Sequence, residues 1–325
     1  MRIRVHNDIE ECRLLWDRAL TNGSLFHAWE IRKCFHDAFQ RTPYFIACED
    51  DRGLSGLLPL SQIDEAGTLA FFPGETWHQK TWLEGNRIVA RSADVFQALG
   101  EAVPDDSHLR YLEGDCLSPS FAETSLDEVG YLFFPAQYGY SFERYLESFR
   151  RKSLKRLLQE PELLHERGVL FRYDFHPDIE QLFRMNLEAF GEDSYFQDDR
   201  FLSGFERLIA ELDRHGRLRI VTVLVGGKIA AVDVGAVWNN AYTLLAGGTN
   251  REFPGVAKLI NFHHLRIACL ERFDSVDFLC GDFGWKQRFG LTGRPLFQIE
   301  LGGRCAEEYG VYADVDFASE RPVYA

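Results

Sequence analysis

The chain has 325 residues, of which 46% are hydrophobic and 26% charged, a globular balance that excludes an intrinsically disordered polymer. Fifty acidic residues outweigh 36 basic ones, giving a net charge of −14. That charge excludes a general nucleic-acid binder, which needs a basic field. No run approaches about 18 apolar residues, so no membrane-spanning helix is expected. The start, Met1-Arg-Ile-Arg-Val-His-Asn-Asp8, lacks the apolar stretch of a secretory signal, and a soluble cytoplasmic protein is expected.

Seven cysteines (Cys12, Cys34, Cys48, Cys116, Cys269, Cys280, Cys305) are scattered without C-x-x-C spacing. They read as small buried apolar residues, not as disulfides or zinc ligands. His263 and His264 are adjacent on a predicted helix, where neighbours point about 100° apart and cannot share one metal. No metal site is predicted.

In chain order, helical spacing of Cys12, Leu15, Trp16 and Ala19 predicts a helix over 8–20, and a second follows over 28–39. Strands are predicted at Pro43–Cys48, Leu54–Leu60 and Thr68–Phe72, with a turn at Glu49–Gly53. An irregular loop over 73–82 carries Trp77, His78, Gln79 and Trp82. It reads either as a substrate pocket or as a cover over the core edge. A helix over 92–99 and strands at 109–112 and 131–134 close this half.

The second half repeats the order. Helices are predicted at 179–190 and 200–214, and strands at 218–225, 229–238 and 241–246, with Gly226-Gly227 and Asn239-Asn240 as hairpin turns. A helix over 256–272 and a strand over 275–280 follow. The repeat is one of element order and predicts two similar α/β (α+β) modules of mostly antiparallel sheet flanked by helices. Their expected extents are 1–140 and 169–325, with a basic linking helix over 141–168.

That link holds five basic residues in the seven positions 150–156. On a helix Lys152, Lys155 and Arg156 share one face while Leu154, Leu157 and Leu158 take another. The run reads either as a solvated face or as a site for an anion, phosphate above all.

From Tyr242 to Gly290 the pattern is strand, glycine-bearing loop, helix, strand and a second glycine-bearing loop. A loop such as Gly247-Gly-Thr-Asn-Arg-Glu-Phe-Pro-Gly-Val-Ala257 aims unpaired backbone N–H groups and a helix dipole at one spot, where an anion fits. At this point the chain resembles the GNAT-fold N-acyltransferases, whose pyrophosphate loop is written [Q/R]-x-x-G-x-[G/A]. Glu252-Phe-Pro-Gly255-Val-Ala257 matches except at its first position, where Glu252 stands beside Arg251. It is more closely similar to a FemAB-like subgroup, the CelD/BcsL-type acetyltransferases, in three features. These are the basic run Arg150–Arg156, the Pro254-Gly255 helix start, and Asp277-Phe-Leu-Cys-Gly-Asp282 followed by Trp285-Lys286 and Phe289-Gly290.

The resemblance implies tandem GNAT-like modules around a cleft and acyl transfer to an amine, from acyl-CoA such as acetyl-CoA or from an aminoacyl-tRNA. The net charge favours acyl-CoA, with tRNA entering only as a donor; the Glu252 departure pulls the other way. It places the donor along Leu244 and Ala246 and over Arg251, Gly255, Val256, Ala257 and Lys258, in a loop expected at the surface. Asp282 is the implied base or else a turn residue. Lys286, paired with Trp285, holds a phosphate, stabilises the leaving group, or is a surface lysine. Asp233, in the apolar strand Ala230–Gly235, must be exposed on one face or paired. Trp77, His78, Lys152, Lys155, Arg156 and Trp285 are the candidate substrate contacts, for a small acceptor, anionic or sugar-linked. A third reading is a binding or scaffold protein of polysaccharide assembly that has lost catalysis.

Overall fold

The computed structural model describes residues 1–20, 23–78, 80–104, 107–116, 124–281 and 284–301. The first half opens with β1 (Arg2–His6), α1 (Ile9–Ala19) and α2 (Trp29–Phe39). Asp8 starts α1 by accepting from the backbone N–H groups of Glu10 and Glu11, and the helix buries Cys12, Leu15 and Trp16. Strands β2 (Pro43–Asp50), β3 (Gly53–Ile63) and β4 (Thr68–Phe71) form a meander, and the short β5 (Val89–Ala90) pairs with β3. Helix α3 (Ala93–Glu101), β6 (Ser107–Glu113) and β7 (Thr124–Phe133) complete this half.

Helices α4 (Phe142–Glu147) and α5 (Arg151–Glu166) lead to the second half. It runs β8 (Val169–Tyr173), α6 (Ile179–Phe190), α7 (Asp199–Arg214), β9 (Leu218–Val225), β10 (Lys228–Trp238), β11 (Ala241–Thr249), α8 (Val256–Glu271) and β12 (Ser275–Asp277). A last strand, β13 (Thr292–Leu301), returns to the first half and lies between β6 and β7.

The architecture is α/β (α+β), with two sheets flanked by helices. One sheet is ordered β1-β2-β3-β4, with β5 on β3; the other is β6-β13-β7-β12-β11-β10-β9-β8 and runs through both halves. Among the described residues the one parallel strand pair is β11 with β12. Among those residues, too, no helix is long and apolar enough to cross a membrane.

Four strands escape the sequence pattern, the two-residue β5 being too short to carry one. β1 and β8 are sheet edges, whose solvent-facing sides carry no clean alternation. β13 contains Gly293 and Pro295, both poor strand residues; Pro295 is tolerated opposite Val129, before pairing with β6 begins at Leu296. β12 ends at Asp277, three residues before the predicted Cys280. The Asp277 carboxylate accepts from the Leu279 N–H at 2.8 Å, and Leu279 has φ 57°. Local turn chemistry overrides the apolar run there.

A shared core joins the halves. Phe35 and Phe39 of α2 pack with Phe201, Phe205 and Leu208 of α7 and with Val232 and Val234 of β10. Each buried phenylalanine is worth about 1.5–3 kcal/mol. A cross-half ion pair such as Lys80–Asp193 spans 3.9 Å with Asp193 92% exposed, a class worth about 0–1 kcal/mol. Apolar burial therefore sets how the halves meet.

Candidate active site

Strands β11 and β12 pair only through Ala241–Ser275, Tyr242–Val276 and Thr243–Asp277. Beyond Thr243, β11 runs on to Thr249 with β12 gone. A bulge between Val234 and Gly235 of β10 shifts the register of β11 from Ala246 to Leu244 and turns that strand outward. The result is a cleft between two parting parallel strands, with Leu244 and Ala246 half-buried on its edge. On the far side the chain stays on β7: Phe278 N–H donates to Tyr131 O at 2.9 Å, and Tyr131 N–H to Leu279 O at 3.3 Å.

Helix α8 opens beside this cleft. Its cap, Gly255, has φ 89° and no capping side chain, and the first turn carries no acid. No described residue accepts a hydrogen bond from the backbone N–H of Ala257 or Lys258, which leaves anion-seeking donors at a helix N-terminus. Val256 is buried. Gly255 is half-buried, not at the open surface, because α5 crosses it: a Cβ there would overlap Glu160 Cβ and come within 3.1 Å of the Glu160 carbonyl carbon. The nearby cations are engaged. Lys258 Nζ donates to Glu160 Oε2 at 2.6 Å, and Arg251 to Ala189 O at 3.1 Å.

The other wall carries charge. Glu75, buried, accepts from the Thr81 hydroxyl at 2.8 Å and from the N–H groups of Leu83 and Trp82, which shapes the loop that delivers Glu84. Glu84 accepts from Cys280 N–H at 2.5 Å and pairs with Arg294 at 3.3 Å. Arg294 also reaches Asp277 at 3.1 Å. Burial, then the Asp277 charge, hold the Glu84 carboxyl well above the usual carboxylate range. Lys286 is 2% exposed and not a surface lysine. Its ammonium donates to Leu279 O at 2.7 Å and Cys280 O at 2.6 Å, and burial pulls its pKa down. Glu128 of β7 is half-buried, and its pKa is raised by burial and then by Asp127.

The remaining predicted residues fall elsewhere. Asp282 lies outside the described residues. Asp233 is paired under α8: its carboxylate is 2.9 Å from His264 Nε2, and His264 Nδ1 lies 3.2 Å from the Tyr242 hydroxyl. A Cβ on Gly247 would overlap Asp233 Oδ1, so the bare glycine makes room for that carboxylate. Trp77 is buried against Phe39, Tyr195 and Phe201, whereas His78 is exposed. Trp285 packs edge-on to Phe278 and Phe289. Lys152, Lys155 and Arg156 are exposed on α5, apart from the carboxylate cluster. Among the described residues no group of His, Cys, Asp or Glu is placed to hold a metal. Sequence reasoning missed Glu84, Glu128 and Arg294, which only the tertiary fold brings together.

Residues 148–287 match the profile of the acetyltransferase (GNAT) domain family, a stretch that contains α5, the parting strands and α8. No curated protein sequence matches the chain. Among solved structures it is similar to FemX, at 12% identity and TM-score 0.58 over 93% of this chain and 98% of that one. It is also similar to L-PGS from Bacillus licheniformis, at 10% identity and TM-score 0.55 over 94% and 96%. A tandem GNAT protein from the clavulanic acid biosynthesis pathway matches at 13% identity and TM-score 0.52 over 93% and 99%. These likenesses are of fold, and they extend through both halves.

Proposed function

We propose that this chain is an N-acyltransferase that moves an acyl group from acyl-CoA to an amine. The observation that carries the reading is the parting of β11 from β12 beside the open N-terminus of α8. An extended thioester fits along a strand edge that has lost its neighbour, and its phosphates fit the free N–H groups of Ala257 and Lys258. The amine attacks the thioester carbonyl, the C–N bond forms, and the thiolate leaves. A backbone donor on the bare edge between Leu244 and Gly247 can stabilise the oxyanion as it develops. The domain match supports the reaction class, and the basic run, the Pro254-Gly255 helix start and the Trp285-Lys286 pair support the CelD/BcsL-type subgroup.

A second reading, aminoacyl transfer from a charged tRNA, is favoured by one feature. Arg150, Arg151, Lys152, Lys155 and Arg156 are all exposed, and none forms an ion pair with a described residue. Two carboxylates, Glu160 and Glu252, meanwhile flank the α8 opening where a pyrophosphate would lie.

Thermal shift with acetyl-CoA separates the readings. A ligand at about 100 times its Kd stabilises by about 2.7 kcal/mol. Acetyl-CoA is expected to raise the melting temperature saturably. No shift at millimolar acetyl-CoA would remove acyl-CoA as the donor.

A further inference from the structure

A strand that leaves its neighbour must find other partners for its buried N–H and C=O groups. β12 leaves β11 after Asp277, and Phe278 N–H stays with β7, on Tyr131 O. The polar backbone groups of the next two residues are all accounted for. Leu279 N–H donates to Asp277 Oδ1 at 2.8 Å, and Cys280 N–H donates to Glu84 Oε1 at 2.5 Å. Leu279 O accepts from Tyr131 N–H at 3.3 Å and from Lys286 Nζ at 2.7 Å. Cys280 O accepts from Lys286 Nζ at 2.6 Å. None of these bonds goes to β11.

The two carboxylates are used alike. Each spends one oxygen on a backbone N–H and the other on the same guanidinium nitrogen. Arg294 Nη2 lies 3.3 Å from Glu84 Oε2 and 3.1 Å from Asp277 Oδ2. One guanidinium thus fixes both acceptors of two successive N–H groups, while one ammonium holds the two successive carbonyls. Glu84 comes from the first half of the chain and Arg294 from β13, so residues 277–280 cannot hold this conformation alone.

We infer that Glu84 and Arg294 are positioning residues of the acyl-transfer site proposed above, on which this inference rests. Their ionic clamp holds Leu279 and Cys280 off β11 and keeps the bare edge of that strand open for the thioester arm. Neither residue meets the reacting atoms; both act through the backbone they hold. Without the clamp the Cys280 N–H needs a new acceptor. The edge of β11 beyond Thr243, which has lost β12, is a ready template for such pairing.

The test uses the full chain and two probes: acetyl-CoA, and ADP, which carries a pyrophosphate without the thioester arm. In Glu84→Leu and Arg294→Met the acetyl-CoA Kd is expected to rise about 10–100-fold, the weight of one charge-assisted hydrogen bond. The ADP Kd should stay unchanged, because ADP engages the α8 opening alone, and Arg294→Lys should recover part of the acetyl-CoA loss. A folded variant that binds acetyl-CoA as wild type does, or that loses both probes equally, overturns the assignment. Amide hydrogen exchange reads the clamp with no ligand present, and in Glu84→Gln, which keeps an acceptor oxygen, should the harsher variants not fold. The Leu279 and Cys280 amides are expected to be protected in wild type and to exchange about tenfold faster in Glu84→Gln. Unprotected amides in wild type, or no change in Glu84→Gln, overturn the clamp whatever the chain binds. Protected amides in a wild-type chain that binds no acetyl-CoA overturn the acyl-CoA reading instead, and with it the role given to the clamp.

Discussion

Gly255 is where the fold and the proposed donor site depend on the same atoms. Gly255→Ala adds one methyl group at a residue with φ 89°. The left-handed backbone costs an L-residue about 1–2 kcal/mol. The new Cβ overlaps Glu160 Cβ and lies 3.1 and 3.3 Å from the Glu160 carbonyl carbon and Cα. Two of those contacts are with backbone, so rotating a side chain cannot relieve them, and α5 and α8 must separate. Overpacking of this kind costs about 1–3 kcal/mol. The sum is about 2–5 kcal/mol. With about 2.1 cal/mol/K of unfolding entropy per residue, a chain of 325 residues loses about 3–7 °C of melting temperature.

The assay is calorimetric melting of Gly255→Ala, Glu160→Gly and the double variant. Glu160→Gly removes the worst overlap but leaves the strained φ, and by itself costs about 1 kcal/mol of helix propensity. The double variant is therefore expected to be more stable than additivity predicts, by about 1–3 kcal/mol. Acetyl-CoA affinity should fall in Gly255→Ala, because the N–H groups of Ala257 and Lys258 move with the helix opening. Unchanged melting of Gly255→Ala, or strictly additive losses, would refute the close crossing of α5 over α8.

Two further outcomes follow from the charges. Replacing Lys152, Lys155 and Arg156 by glutamine should hardly move the melting temperature, because all three are exposed and such charges contribute about 0–1 kcal/mol. Donor affinity should weaken most at low salt, and a large loss of stability with intact binding would make α5 a structural clamp. His27 is buried with Nε2 2.7 Å from Gly85 O, and burial, then the Arg32 charge, lower its pKa from 6.5 to about 4. The unfolded chain therefore binds a proton below pH 6.5 that the native one refuses, and stability falls as pH drops from there to about 4. At about 1.36 kcal/mol per pKa unit, His27 alone accounts for a loss of about 3 kcal/mol. Urea midpoints at pH 7 and 4.5 should show a smaller acid loss in His27→Gln than in wild type; equal losses would exclude His27 as a cause.

Periodicity made the helices and hairpins legible, because Cys12, Leu15 and Trp16 or Phe201, Phe205 and Leu208 each form one buried stripe. The repeat of element order was legible for the same reason. β13 was not, since Gly293 and Pro295 argue locally against a strand that pairing on both sides enforces. At the site, the opening of α8 could be read from Pro254-Gly255, whereas the carboxylate wall could not. Glu84 sits in an irregular loop and Glu128 beside a second acid, Asp127. Nothing local distinguishes them from surface residues; what sets them apart is the company supplied by Arg294 and Lys286 from more than 150 positions away.

The route of β13 explains why that company exists. By lying between β6 and β7 it carries Arg294 to a place where one guanidinium meets Glu84 from the first half and Asp277 from the second. Lys286 spends its hydrogen bonds on the carbonyls of Leu279 and Cys280. Among the described residues, Glu84 and Asp277 thus share one guanidinium, and the Lys286 ammonium acts on both Glu84 and Glu128. Burial first, and then the Asp277 and Asp127 charges, raise the carboxyl pKa values of Glu84 and Glu128, so the same tertiary packing that gathers these groups also tunes them.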